Sequence, residues 1–138
     1  MATKIVDAGS MQARFRLTKQ RAAVLDALGE GAHLTAEAIF ERVRAQVPGV
    51  SLGTIYRTLD VLRVLGLVQI FSQPGEAARF ESTIERHDHL LCSRCRELRN
   101  VRAEGIAQIA VALGGEHGFR ELDYALTIVG ICRDCSRN

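Results

Sequence analysis

A chain of 138 residues, 47% hydrophobic and 25% charged, suffices for one ordinary domain or two small ones and is too apolar for wholesale disorder. It shows no run of about 18 apolar residues and no basic leader before an apolar core, which argues against a membrane span or a secretory signal and for the cytoplasm. Net charge is only +2, but residues 1–80 carry ten Lys/Arg against seven Asp/Glu and residues 81–138 eight against nine, a basic bias that either nucleic-acid binding or a solvated helix face would produce.

Residues 1–13 are weakly patterned and read as a flexible arm. Thr18 is an N-cap candidate for a helix whose Val24, Leu25 and Leu28 share a face and which Gly29 and Gly31 stop. Thr35 opens a second helix, with Ile39, Phe40, Val43 and Val47 at helical spacing and Pro48-Gly49 at its end. Ser51 caps a third, with Leu52, Ile55, Leu59 and Leu62 facing inward and Gly66 as its stop. Val68–Phe71 and Ala77–Glu81, joined by a turn around Pro74-Gly75, read as a hairpin. Three short helices followed by a hairpin is the order of a winged helix-turn-helix, in which the helix before the hairpin enters the major groove.

The second half changes character. His89–Cys92 and Leu98–Val101 read as short strands flanking a cysteine turn. Ile106, Ile109, Ala110 and Leu113 define an amphipathic helix, and Leu122, Tyr124, Leu126 and Ile128 alternate as a last strand. The four cysteines form two C-x-x-C pairs, Cys92/Cys95 and Cys132/Cys135, and none is left over. Two residues between partners let both thiolates reach one ion from a tight turn, and two pairs complete the tetrahedral four-sulfur shell of a structural zinc. Such a shell has no open position for a substrate. A unit of about 50 residues cannot bury a large core alone, so zinc and a partner subunit are the expected supplements.

The expectation is an α+β chain. Residues 1–82 form a winged-helix DNA-binding domain, and residues 83–138 a small α/β dimerisation and metal-binding domain with a four-cysteine zinc site. On the third helix, Ser51, Thr54, Tyr56, Arg57 and Thr58 should lie away from the core. There Arg57 can grip phosphate or guanine, Tyr56 can pack on a thymine methyl, and the hydroxyls suit phosphates. The alternative for Tyr56-Arg57 is an ion pair or surface packing. Lys19 is a further candidate contact, and Arg14 and Arg16 suit a narrow AT-rich minor groove.

His87-x-His89 directly precedes the first cysteine pair. Two imidazoles two apart on a strand point to one side and can reach one cation. Further ligands must come from afar: Glu81 at the end of the wing and His33 between the first two helices. A set of His33, Glu81, His87 and His89 suits Fe(II), Mn(II), Zn(II) or Ni(II). Metal held there would join the two halves and convert metal concentration into DNA affinity.

Taken together and in order, Leu17-Thr-Lys-Gln-Arg21, Ser51-Leu-Gly-Thr-Ile-Tyr-Arg-Thr-Leu59, Arg79-Phe-Glu81, His87-Asp-His-Leu-Leu-Cys-Ser-Arg-Cys95 and Cys132-x-x-Cys135 closely resemble the ferric uptake regulator family of bacterial metal-dependent repressors. The resemblance implies a homodimer that binds double-stranded DNA at AT-rich inverted repeats, with no membrane and no small-molecule substrate as partner. It assigns the four cysteines to structural Zn(II), His33, Glu81, His87 and His89 to a regulatory Fe(II) or Mn(II), and Tyr56 and Arg57 to DNA.

The departures are informative. Many members carry a carboxylate where this chain has Asn100, which can still ligate through its carbonyl oxygen. Of the four ligands of a second site, only Asp88 survives; Arg86, Ala107 and Tyr124 occupy the others, so that site is expected to be absent. Zinc-sensing members often bring a cysteine to the regulatory site, whereas every cysteine here is committed. Peroxide-sensing members share the histidines but favour Asp over Glu81. The rivals from other classes are a C-x-x-C dithiol redox enzyme, which needs one pair at a strand-to-helix junction of a βαβ unit, where neither pair is expected to lie, and a zinc-stapled interaction module without a sensor. No catalytic constellation is visible, so the chain is not expected to be an enzyme.

Overall fold

The computed structural model describes residues 17–82 and 85–137. The chain divides into two compact units between Glu85 and Arg86. Arg14 and Arg16 lie outside the described residues.

The first unit runs α1 (Lys19–Leu28), β1 (Leu34–Thr35), α2 (Ala36–Val43), α3 (Leu52–Val64), β2 (Gln69–Phe71) and β3 (Arg79–Glu81). Each helix starts at a hydroxyl: Thr18, Thr35 and Ser51 accept from the amides of Arg21, Ala38 and Thr54. Such a cap contributes about 1 kcal/mol. The helices close around Val24, Leu28, Ile39, Val43, Ile55, Leu59 and Leu62, all sealed from solvent. Each large side chain buried this way contributes about 1.5–3 kcal/mol.

Thr58 corrects the sequence reading: it is buried, not solvent-facing. It lies three residues after Ile55 and four before Leu62, so it belongs to the inward stripe. Leu52, expected inside, is only half-buried. The second helix stops at Val43, short of Pro48-Gly49, and Val47 reaches the core through a turn in which its amide donates to the Val43 carbonyl at 2.9 Å. The hairpin strands are shorter than expected, and β3 also pairs with β1, which gives a sheet of order β1-β3-β2.

The second unit runs β4 (Asp88–Cys92), β5 (Leu98–Val101), α4 (Ile106–Glu116), β6 (Thr127–Gly130) and α5 (Arg133–Ser136). The sheet order is β5-β4-β6, with β4 antiparallel to β5 and parallel to β6. A parallel pair needs a long crossover, which α4 supplies. The last strand begins at Thr127 rather than Leu122, although Leu122, Tyr124 and Leu126 are already half-buried in alternation with exposed neighbours.

No residue of α4 is buried, and Ile109 and Leu113 remain more than half exposed. Gly114 is where α4 meets its own chain: a Cβ there would collide with the methyl groups of Leu122. No described helix is long and apolar enough to cross a membrane.

Candidate metal centres and nucleic-acid interface

The cysteine cluster is built by the sheet. Cys92 ends β4, and the chain folds back through Arg96, whose φ of 63° is left-handed. The Arg96 amide donates to the Cys92 carbonyl at 3.0 Å, and the Cys92 amide donates to the Glu97 carbonyl at 2.9 Å, closing a tight turn around Cys95. The β4/β6 register ends at Cys92↔Gly130, which delivers Cys132 and Cys135 beside the first pair. Arg94 Nη1 then ties the knot by donating to the Cys135 carbonyl at 2.9 Å.

The four Sγ atoms all lie within 4.8 Å of one another, and Cys95 and Cys132 are 3.8 Å apart. A tetrahedral zinc–tetrathiolate site with bonds of about 2.3 Å has sulfur–sulfur edges of about 3.8 Å, so the cluster fits zinc. The amides of Cys132 and then Cys95 pull the Cys92 thiol down to about 6. The Cys132 sulfur helps push the Cys135 thiol up to about 12. Sulfurs this crowded ionise together only around a cation, which is what a divalent metal supplies. Cys132 does N-cap α5 just after β6, a strand-to-helix junction that sequence reasoning did not expect. That helix is a single turn, and no strand follows it among the described residues.

The other ligand candidates fall into a pair in each unit. In the first unit, the Leu34↔Phe80 register sets His33 opposite Glu81, and His33 Nε2 lies 3.1 Å from Glu81 Oε2. Both side chains are almost wholly buried, at 4% and 2% exposure. A carboxylate this deep costs several kcal/mol unless partnered. The two-residue strand β1 makes this pair; the sequence puts both residues in one ligand set but does not disclose the strand, because two residues carry no alternation to read.

In the second unit, His87 and His89 meet edge to face, ring centroids 4.8 Å apart. Asp88 between them is buried, and its carboxylate accepts from the Ala103 amide at 3.2 Å. Asn100 is the cross-strand partner of His89 on β5.

The outer face of α3 carries the DNA candidates. Tyr56 is 44% exposed and donates its hydroxyl to Glu37 Oε1 at 3.1 Å, which raises the phenol pKa. Arg57 is exposed, and its Nη2 donates to Thr54 Oγ1 at 3.2 Å; Thr54 in turn shares a 2.9 Å hydrogen bond with Ser51. Lys19 is exposed at the start of α1. Arg21 and Arg57 line one concavity of about 210 Å³ with Thr18 and Thr54. Sequence reasoning missed Glu37, because an acid on another helix gives no local sign of its partner. Arg21 stands in the Leu17–Arg21 stretch, where nothing local marks it as lining this concavity.

Comparison with known proteins places this geometry. The sequence profile of the ferric uptake regulator family matches residues 12–129. The chain is 30% identical over 123 residues, 88% of its own length and 85% of the relative's, to the peroxide operon regulator of Bacillus subtilis. It is 35% identical over 126 residues, covering 89% of itself and 93% of the relative, to the ferric uptake regulation protein of Legionella pneumophila. Its fold superposes with a TM-score of 0.78, at 25% identity and covering 88% and 95% of the two chains, on a ferric uptake regulator from Francisella tularensis solved with iron.

Proposed function

This chain belongs to the ferric uptake regulator family, and on that premise we propose that it is a metal-dependent transcriptional repressor whose regulatory ion is ligated by His33, Glu81, His87 and His89. The observation that carries the reading is the buried His33–Glu81 pair, a carboxylate and an imidazole poised at 3.1 Å with almost no solvent. His87 and His89 supply the second pair, with Asn100 beside them as a neutral oxygen donor. A nitrogen and oxygen donor set of this kind suits Fe(II), Mn(II), Zn(II) or Ni(II); with every cysteine committed to the other cluster, we take the ion to be Fe(II) or Mn(II). The ion would neutralise Glu81 and fix the four ligands in one geometry.

The cysteines act in support. Cys92 lies three residues beyond His89 on the same strand, so zinc held by Cys92, Cys95, Cys132 and Cys135 would fasten the strand that presents the histidines. Ser51, Thr54, Tyr56, Arg57 and Lys19 would face the operator, an AT-rich inverted repeat read by a two-fold symmetric dimer. The exposed apolar residues of α4 support the dimer.

Peroxide sensing is the second reading, favoured by the likeness to the B. subtilis regulator and opposed by Glu81 and Asn100 standing where Asp is preferred. The test of the main reading is substitution. His33→Ala and His87→Ala should each abolish metal-stimulated operator binding while the protein keeps about one zinc per chain. A full metal response in both variants would overturn the ligand assignment.

A further inference from the structure

Arg86, the residue before His87, makes three contacts with one short segment. Its Nη1 donates to Asp123 Oδ1 at 2.7 Å, its Nη2 donates to the Tyr124 carbonyl at 2.7 Å, and its guanidinium carbon lies 3.8 Å from the Tyr124 ring centroid. The Tyr124 amide donates to the same Asp123 oxygen at 2.9 Å, so the acceptor is itself fixed. The hydrogen bond from Arg86 holds the Asp123 carboxyl below the usual carboxylate range. Three residues on, the His89 amide donates to the Leu126 carbonyl at 3.1 Å, and the β4/β6 ladder begins at His89↔Thr127. His87 is thus bracketed: the chain is fastened to residues 123–127 immediately before it and two residues after it.

We propose that Arg86 is a positioning residue for the metal sensor, a clamp that holds His87 in its ligating conformation before metal arrives and so sets the affinity of the regulatory site. The inference rests on the reading of His87 as a ligand. A free His87 would lose backbone freedom on ligation, which weakens binding; a clamped one has lost it already. The guanidinium charge acts in the opposite sense, because a cation one residue from the ligand repels the incoming metal. The two roles therefore differ in sign.

Arg86→Lys separates them. Lysine keeps the charge but lacks the planar two-pronged fork and the stacking surface. Mn(II) titration of the zinc-loaded protein, read by the free-ion EPR signal, should show affinity weakened about two- to fivefold in Arg86→Lys and in Asp123→Asn, the range open to a solvent-exposed pair. Zinc content and circular dichroism should stay unchanged in both.

An unchanged Kd in Arg86→Lys would overturn the clamp. His87→Ala serves as the control for the parent reading. Loss of Mn(II) binding there, with no effect of Arg86→Lys, refutes the clamp alone; intact Mn(II) binding there refutes both.

Discussion

Arg57 and Tyr56 reach the solvent face of α3 already held, Arg57 by Thr54 and Tyr56 by Glu37. Side chains restrained before binding lose less freedom when DNA arrives. Arg57→Ala should weaken operator binding by about 1–3 kcal/mol at matched salt without altering metal content. A comparable loss on random DNA would make it a phosphate contact, a larger loss on the operator a base contact, and an unchanged affinity would remove it from the interface. At this scale legibility follows spacing. The cysteines can be read because two residues between partners is itself the geometry of the site. His33 and Glu81 can be named from the sequence, but their meeting depends on β1, which the sequence does not disclose. Thr58 differs again: its spacing from Ile55 and Leu62 places it inside, but a hydroxyl on a helix rich in polar residues reads as solvent-facing.

Elements with strong local signals are legible in the sequence, and those made by tertiary contact are not. The hydroxyl caps and apolar stripes of α1, α2 and α3 are local, and the helices start where expected. Ser51→Ala should lower the stability of the first unit by about 1 kcal/mol, and Ile55→Ala by about 2–5 kcal/mol, seen as lower urea midpoints. An unchanged midpoint for Ile55→Ala would contradict the packing of α3. The end of α2, the length of the wing strands and the start of β6 depend on pairing partners, so local pattern misplaces them. The amphipathic pattern of α4 does mark a helix; Ile106 and Ala110 are half-buried, yet Ile109, Val111 and Leu113 stay more than half exposed among the described residues. Gly114→Ala should destabilise the second unit, because the new methyl group meets Leu122. Unaltered thermal stability would show that Leu122 can move aside.

For the whole molecule, the two units differ in what holds each of them together. The first unit has its own sealed core and a buried His33–Glu81 pair. Among the described residues, the second has only Leu91, Cys92 and Leu98 as buried apolar residues on its sheet, and four clustered sulfurs in place of a large core. Stripping zinc should therefore unfold the second unit and dissociate the dimer while the first keeps its helical signal; a dimer that survives complete zinc removal would contradict this. Leu113→Asp, on the exposed face of α4, should shift the protein toward monomer in sedimentation analysis. A dimer unaffected by that charge would move the interface elsewhere.

One titration distinguishes metal-gated from metal-independent DNA binding. Zinc-loaded protein is mixed anaerobically with operator DNA and titrated separately with Fe(II), Mn(II) and Zn(II), then exposed to peroxide. The expected result is operator affinity that rises steeply with Fe(II) or Mn(II), and much less with Zn(II). Loss of the Fe(II) complex alone on peroxide treatment would identify a peroxide sensor built on the same ligands. Operator affinity that ignores all added metal would contradict metal gating.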